Sequence, residues 1–298
     1  MKQQGHFLLM DKSEFRSWLA AQTITRIIAR LQVHHTASPN YTTRRIVNGV
    51  AQQDHFEALE GMRNYHLNTN GWKATGQNIT TFEDGKIAIS LDRDLNTIPA
   101  GISGANTGAL CIENLGNFDK GGDTMTESQR ETIVHLYACL CDKLGITPGS
   151  STLVYHAWYT ATGAWLGDYE AGKSSKTCPG TAFWGDGNTK SAALKGFIPA
   201  VAAELNKLNS GEEEAMMAEE KKEFEELKAA IKDRDDRIVA LEARLNIDGK
   251  QTYASGYEQA VKAAKAAGAI KTSADKSKLE LNMIQMLYNM GLFDKEAK

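Results

Sequence analysis

Residues 26–35, RIIARLQVHH, alternate along a β-rich run, which predicts a strand with Ile27, Ala29, Leu31, Val33 and His35 on its core face. Ile28, Arg30, Gln32 and His34 then fall on the polar face, so only one of the two adjacent histidines faces the polar side. NITTFEDGKIAISL (78–91) predicts two strands joined at Asp84-Gly85. GALCIENLG (108–116) and TLVYHAW (152–158) predict two more. Thr126 and Gln129 form a capping box that opens a helix striped by Ile133, Leu136, Leu140 and Leu144 and closed at Gly145. A last helix starts near Pro199 and carries Val201, Leu205 and Leu208. Strands interspersed with helices predict an α/β domain built around a mixed sheet.

The pattern changes after residue 208. NSGEEEA (209–215) reads as a linker between a first domain, 1–208, and a helix at 216–245. That helix has a heptad seam, with Met217, Phe224, Ile231, Ile238 and Leu245 at a and Leu227 and Leu241 at d. Glu220 and Arg234 interrupt it. The seam predicts a short coiled coil that makes the chain a homo-oligomer through 216–245, the alternative being a solitary solvated helix. Residues 246–298 predict a helical hairpin, Tyr257 to Ala267 and Lys278 to Met290, with a capping box at Ser277 and Glu280 and a stop at Gly291. A unit of this size needs support from a partner, and wall binding or oligomerisation are its candidate roles.

Charge sharpens the division. Residues 1–210 hold 19 basic and 19 acidic side chains, 211–245 hold 7 and 12, and 246–298 hold 8 and 6. The balanced first segment offers no stripe for a phosphate backbone, so nucleic acid is not an expected partner. FLLM is the only apolar run before charges resume at the N-terminus, and no stretch approaches a membrane span, so neither export through a signal peptide nor membrane insertion is expected. The four cysteines, Cys111, Cys139, Cys141 and Cys178, lack the spacing of a disulfide framework and are expected as thiols.

His34 and His156, each closing a strand, and Cys178 before a Pro-Gly turn are zinc-competent donors, although spacing alone would leave them as ordinary core or surface residues. VHHTAS (33–38), GALCIENLGNF (108–118), YHAW (155–158) and KTCPG (176–180) stand in the order found in the zinc-dependent N-acetylmuramoyl-L-alanine amidases. That family includes bacteriophage endolysins and is similar to the peptidoglycan recognition proteins. The resemblance covers roughly residues 13–200. It implies a central mixed β-sheet flanked by helices, a groove for bacterial peptidoglycan, and a Zn²⁺ cofactor bound by His34, His156 and Cys178.

The remaining roles follow from chemistry and from that resemblance. Lys176, two residues before Cys178, shares its side in an extended segment and can face a developing oxyanion; a solvated lysine is the alternative. Glu113 is the one acid in an apolar strand, and resembling endolysins carry a glutamate there as general base; a buried ion pair is the alternative. Where other family members place a tyrosine, this chain has Gln77, which can hydrogen-bond substrate but cannot transfer a proton. Trp158 and Trp72 are candidates for lining a sugar groove, or else core. His6 is expected in a loose terminus, and His35, His55, His66 and His135 in structural positions. Together these imply hydrolysis of the amide between N-acetylmuramic acid and L-alanine by an endolysin held in the host cytoplasm until release to the wall. A non-catalytic peptidoglycan-binding module and a coiled-coil interaction protein are the alternatives.

Overall fold

The computed structural model describes residues 1–210, 212–245 and 253–293, with the side chains of the long helix described from 222 to 242. The first unit, Met1–Glu214, follows the order β1 (Lys2–Gln4), β2 (Phe7–Met10), α1 (Lys12–Ala20), β3 (Arg30–His35), β4 (Ile46–Val47), β5 (Val50–Ala51) and α2 (His55–Asn68). It continues with β6 (Ile79–Thr81), β7 (Ile87–Ser90), β8 (Ala109–Asn114), α3 (Glu127–Leu144), β9 (Leu153–Tyr155), α4 (Lys190–Lys195) and α5 (Phe197–Ser210). The second unit, Ala215–Lys298, holds most of α6 (Glu212–Leu245), then α7 (Glu258–Ala266) and α8 (Lys278–Asn289).

Seven strands form one mixed sheet in the order β1-β2-β7-β6-β8-β3-β9, while β4 and β5 make a separate hairpin. β6, β8, β3 and β9 run parallel, and the β2–β7 and β7–β6 pairs are antiparallel. The expected mixed sheet flanked by helices is therefore present. Parallel strands buried on both faces read as continuous apolar runs, and Leu31, Val33, Leu110, Ile112 and Leu153 are all fully buried. Each contributes roughly 1.5–3 kcal/mol by leaving water. α3 packs its Ile133, Leu136 and Leu140 into the same core. Gly145 ends it at φ 63°, a left-handed conformation that glycine adopts without penalty.

Several elements differ from the sequence expectation. The strand begins at Arg30 rather than Arg26, and Ile27 is 88% exposed whereas Ile28 is buried. The amides of Ala29 and Arg30 both donate to the Gly108 carbonyl, and this doubled contact shifts the side-chain alternation by one residue. The N-terminus is not loose: His6 sits in the turn between β1 and β2. Thr126 caps α3 by accepting from the Gln129 amide, but the Gln129 side chain does not complete the box. It is buried, donating to the Leu115 carbonyl and accepting from the Tyr41 hydroxyl, so it ties α3 to the sheet instead.

α5 ends at Ser210 and α6 begins at Glu212, so the stretch read as a linker is helical on either side of Gly211, which lies outside the described residues. Every described α6 side chain, 222–242, is exposed. Met217, Glu220 and Leu245 of the seam lie outside the described side chains, as do residues 246–252 of the predicted hairpin. α7 and α8 pack through Ala260, Ala264 and Ile284, and Ser277 and Glu280 form the expected capping box. Among the described residues no helix is long and apolar enough to cross a membrane.

Candidate metal centre and groove

The C-terminal ends of β3, β8 and β9 bring the chemistry together. Parallel register sets His34 beside Glu113 and Gln32 beside Cys111, so the polar face of β3 meets the polar face of β8. His156 follows β9 at once, opening a short turn through Trp158. Cys178 arrives on a loop and accepts the Ala157 amide on its backbone carbonyl, which ties that loop to the turn after β9. That loop is fastened by Asp119, which accepts from the Thr177 hydroxyl and the Thr181 amide. Gly180 has φ +123°, and a Cβ there would stand 2.3 Å from the Phe118 carbonyl oxygen. Only glycine lets the loop lie this close to the strand end.

His34 Nδ1 lies 3.2 Å from His156 Nδ1 and 3.5 Å from Cys178 Sγ. All three residues are buried. Zinc–nitrogen bonds of about 2.0–2.1 Å and a zinc–sulfur bond of about 2.3 Å in a tetrahedral site require separations of about 3.3 and 3.6 Å. The donor set therefore fits zinc. Gln32 fixes the tautomer that this needs: its Oε1 is 3.3 Å from His34 Nε2, its amide nitrogen donates to the Ala105 carbonyl, and Nδ1 is left as the lone-pair donor. Burial, with His156 and Lys176 adding, holds His34 well below the ordinary imidazole value. Burial and Lys176 bring His156 down to about 4, so both rings are neutral and their nitrogens could serve as donors to a metal. A second trio, His34, Cys111 and Glu113, shares one donor with the first.

Glu113 stands at the edge of this centre, with Oε1 3.9 Å from His34 Nδ1. Among the described residues its buried Oε2 has no hydrogen-bond partner. Burial pushes the carboxyl up to about 8, with Lys176 pulling the other way. Among the described residues, the approach to His34 is its one ion-pair contact. Lys176 is exposed at the rim.

The centre opens into a groove of about 670 Å³, within the range of small-ligand sites. Its far wall comes from α2 and the loop that follows, where His66 stacks on Trp72 at 4.8 Å and accepts the Gly76 amide on Nδ1. His66, read from sequence as structural, therefore lines the groove. Gln77 lines it too: its side chain is buried and donates to Thr80, and its buried Oε1 has no partner among the described residues. Trp158 is a correction. It is fully buried, stacks on Tyr155 at 4.5 Å and donates its indole N–H to Asn188, so it belongs to the core and cannot touch a ligand. Replacing Trp158 with Ala should cost about 3–5 kcal/mol of stability in urea unfolding. Trp72→Ala should cost about 1 kcal/mol while weakening ligand capture, and equal losses in the two variants would contradict the assignment.

The profile of the N-acetylmuramoyl-L-alanine amidase family matches residues 25–181. Among curated protein sequences, none matches at a significant level. Among solved structures, Drosophila PGRP-LB is similar at 19% identity, covering 55% of this chain and 85% of that chain with a TM-score of 0.39. The endolysin N-acetylmuramoyl-L-alanine amidase LysCS from Clostridium intestinale is similar at 20% identity, covering 59% and 88% with a TM-score of 0.37. Peptidoglycan recognition protein-LE in complex with tracheal cytotoxin is similar at 19% identity, covering 55% and 85% with a TM-score of 0.38.

Proposed function

The chain belongs to the N-acetylmuramoyl-L-alanine amidase family, and on that premise we propose that it is a zinc hydrolase of bacterial peptidoglycan. Its substrate bond is the amide between the lactyl group of N-acetylmuramic acid and L-alanine of the peptide stem. The observation that carries this reading is the convergence of His34, His156 and Cys178 at metal-binding separations beside Glu113, whose Oε2 has no hydrogen-bond partner among the described residues. When bound there, zinc supplies Lewis acidity toward the substrate carbonyl and its attacking water.

The chain's own groups do the rest. His34, His156 and Cys178 would hold the metal with two neutral imidazoles and one thiolate. Glu113 takes the proton of the attacking water and delivers it to the departing amine of L-alanine. The Lys176 ammonium at the rim balances the charge that develops on the amide oxygen. Gln77, which lines the groove, has an amide that can hydrogen-bond but cannot move a proton, so the proton chemistry falls to Glu113. Trp72 on His66 offers an apolar face to the sugar.

The glutamate on β8, matched in the endolysins the sequence resembles, favours an endolysin role in which the enzyme stays in the host cytoplasm until a pore releases it to the wall. Zinc-loaded protein incubated with purified cell walls should release new amino groups on L-alanine and no new reducing sugar ends. Tight wall binding without new amino groups would make the chain a recognition module instead.

A further inference from the structure

α6 carries Phe224, Leu227, Ile231, Ile238 and Leu241 on one seam, each between 43% and 58% exposed. A stripe this apolar along a helix whose described side chains, 222–242, are all exposed calls for a cover, and its heptad spacing is that of a helix with the same repeat. We propose that the cover is α6 of a second copy, and that the two helices run antiparallel.

The core layers decide the direction. In an antiparallel pair a positions face d positions, and one register sets Phe224 against Leu241 of the second copy, Leu227 against Ile238, and Ile231 against Arg234. Each buried layer is then apolar on at least one side. In the parallel pair Arg234 would face Arg234 across a d layer, two like charges removed from water without a counter-ion. Surface charge is less decisive. The parallel pair would gain Glu223 to Lys228 and Arg237 to Glu242, whereas the antiparallel pair sets Lys228 against Asp235 on both flanks. Exposed pairs of this kind are weak, and a buried arginine pair outweighs them. Lys228 already leans over the Phe224 ring at 4.5 Å, so its ammonium lies along the seam that the second helix would cover.

The two directions make opposite predictions for the full-length protein. Light scattering at tens of micromolar should give a dimer. Asp235→Lys sets lysine against Lys228 in the antiparallel pair and should weaken the dimer about tenfold or more, and Lys228→Asp added to it should restore the affinity. In a parallel pair Asp235 faces Ala230, so the first variant would do nothing and the second would set Asp against Glu223. Independently, an equimolar mixture of Phe224→Cys and Leu241→Cys chains should form a disulfide-linked dimer on oxidation, and neither variant alone should. A monomer by light scattering, or a cross-linked dimer from Phe224→Cys alone, would overturn the proposal.

Discussion

Cys178→Ser is expected to take the zinc content from about one ion per chain to near zero and hydrolysis of walls to background. The thiolate is the only anionic donor of the trio, and a serine hydroxyl stays protonated in the pH range where the thiolate forms under a metal. Its Sγ accepts the His35 amide at 3.4 Å, and the serine oxygen can accept the same N–H. The loop is held by Asp119 and by the tight approach of Gly180 to Phe118, neither of which the substitution touches. The variant should therefore keep the melting temperature of the metal-free parent. Elemental analysis finding one zinc per chain with activity intact would remove Cys178 from the site and turn attention to the second trio, His34, Cys111 and Glu113.

The site was legible in the sequence where chemistry and strand parity reinforce each other. His34 could be separated from His35 because Leu31 and Val33 commit one face of β3 to the core, and that parity holds from Arg30 onward. It failed at Ile27 and Ile28, where one carbonyl serves two amides, a backbone event with no side-chain signature. Gln32 shares the polar face of His34 and was visible as such, yet nothing marks a glutamine as the partner of an imidazole until the fold sets its Oε1 beside Nε2. Trp158 was misread because an indole is amphipathic and its sequence neighbours include His156; burial is decided by Tyr155, Asn188 and distant aromatics.

The fold divides along the same line. The hairpin at Asp84-Gly85 and the caps of α3 are local, so short-range turn chemistry reveals them. β1 was hidden because all three of its residues are exposed at the sheet edge, where no apolar alternation is needed. α4 was hidden for a related reason: six residues are too few for a period to register.

Glu113→Gln should leave zinc content unchanged and lower turnover by at least about a hundredfold, the usual contribution of a positioned proton acceptor. The amide keeps the size of the carboxyl. It breaks no hydrogen bond to Oε2, which has none, and the one ion-pair contact among the described residues is a 3.9 Å approach to His34. Stability should follow pH in a telling direction. Burial raises the carboxyl from its ordinary 4.5 to about 8 in the metal-free protein, so the folded state favours the protonated form. The stability this contributes is present below about pH 4.5 and lost as the pH rises through about 8, whereas the glutamine does not titrate. Metal-free Glu113→Gln should accordingly melt no lower than its parent at pH 8, and a bound dication draws the wild-type carboxyl back down toward its working, ionised form. In the zinc-loaded enzyme kcat/KM should rise along an acid limb that reports this ionisation, and the limb should be missing from the residual activity of the variant. A variant that unfolds or sheds its metal would instead make Glu113 part of the scaffold, and the proton acceptor would have to be sought elsewhere in the groove.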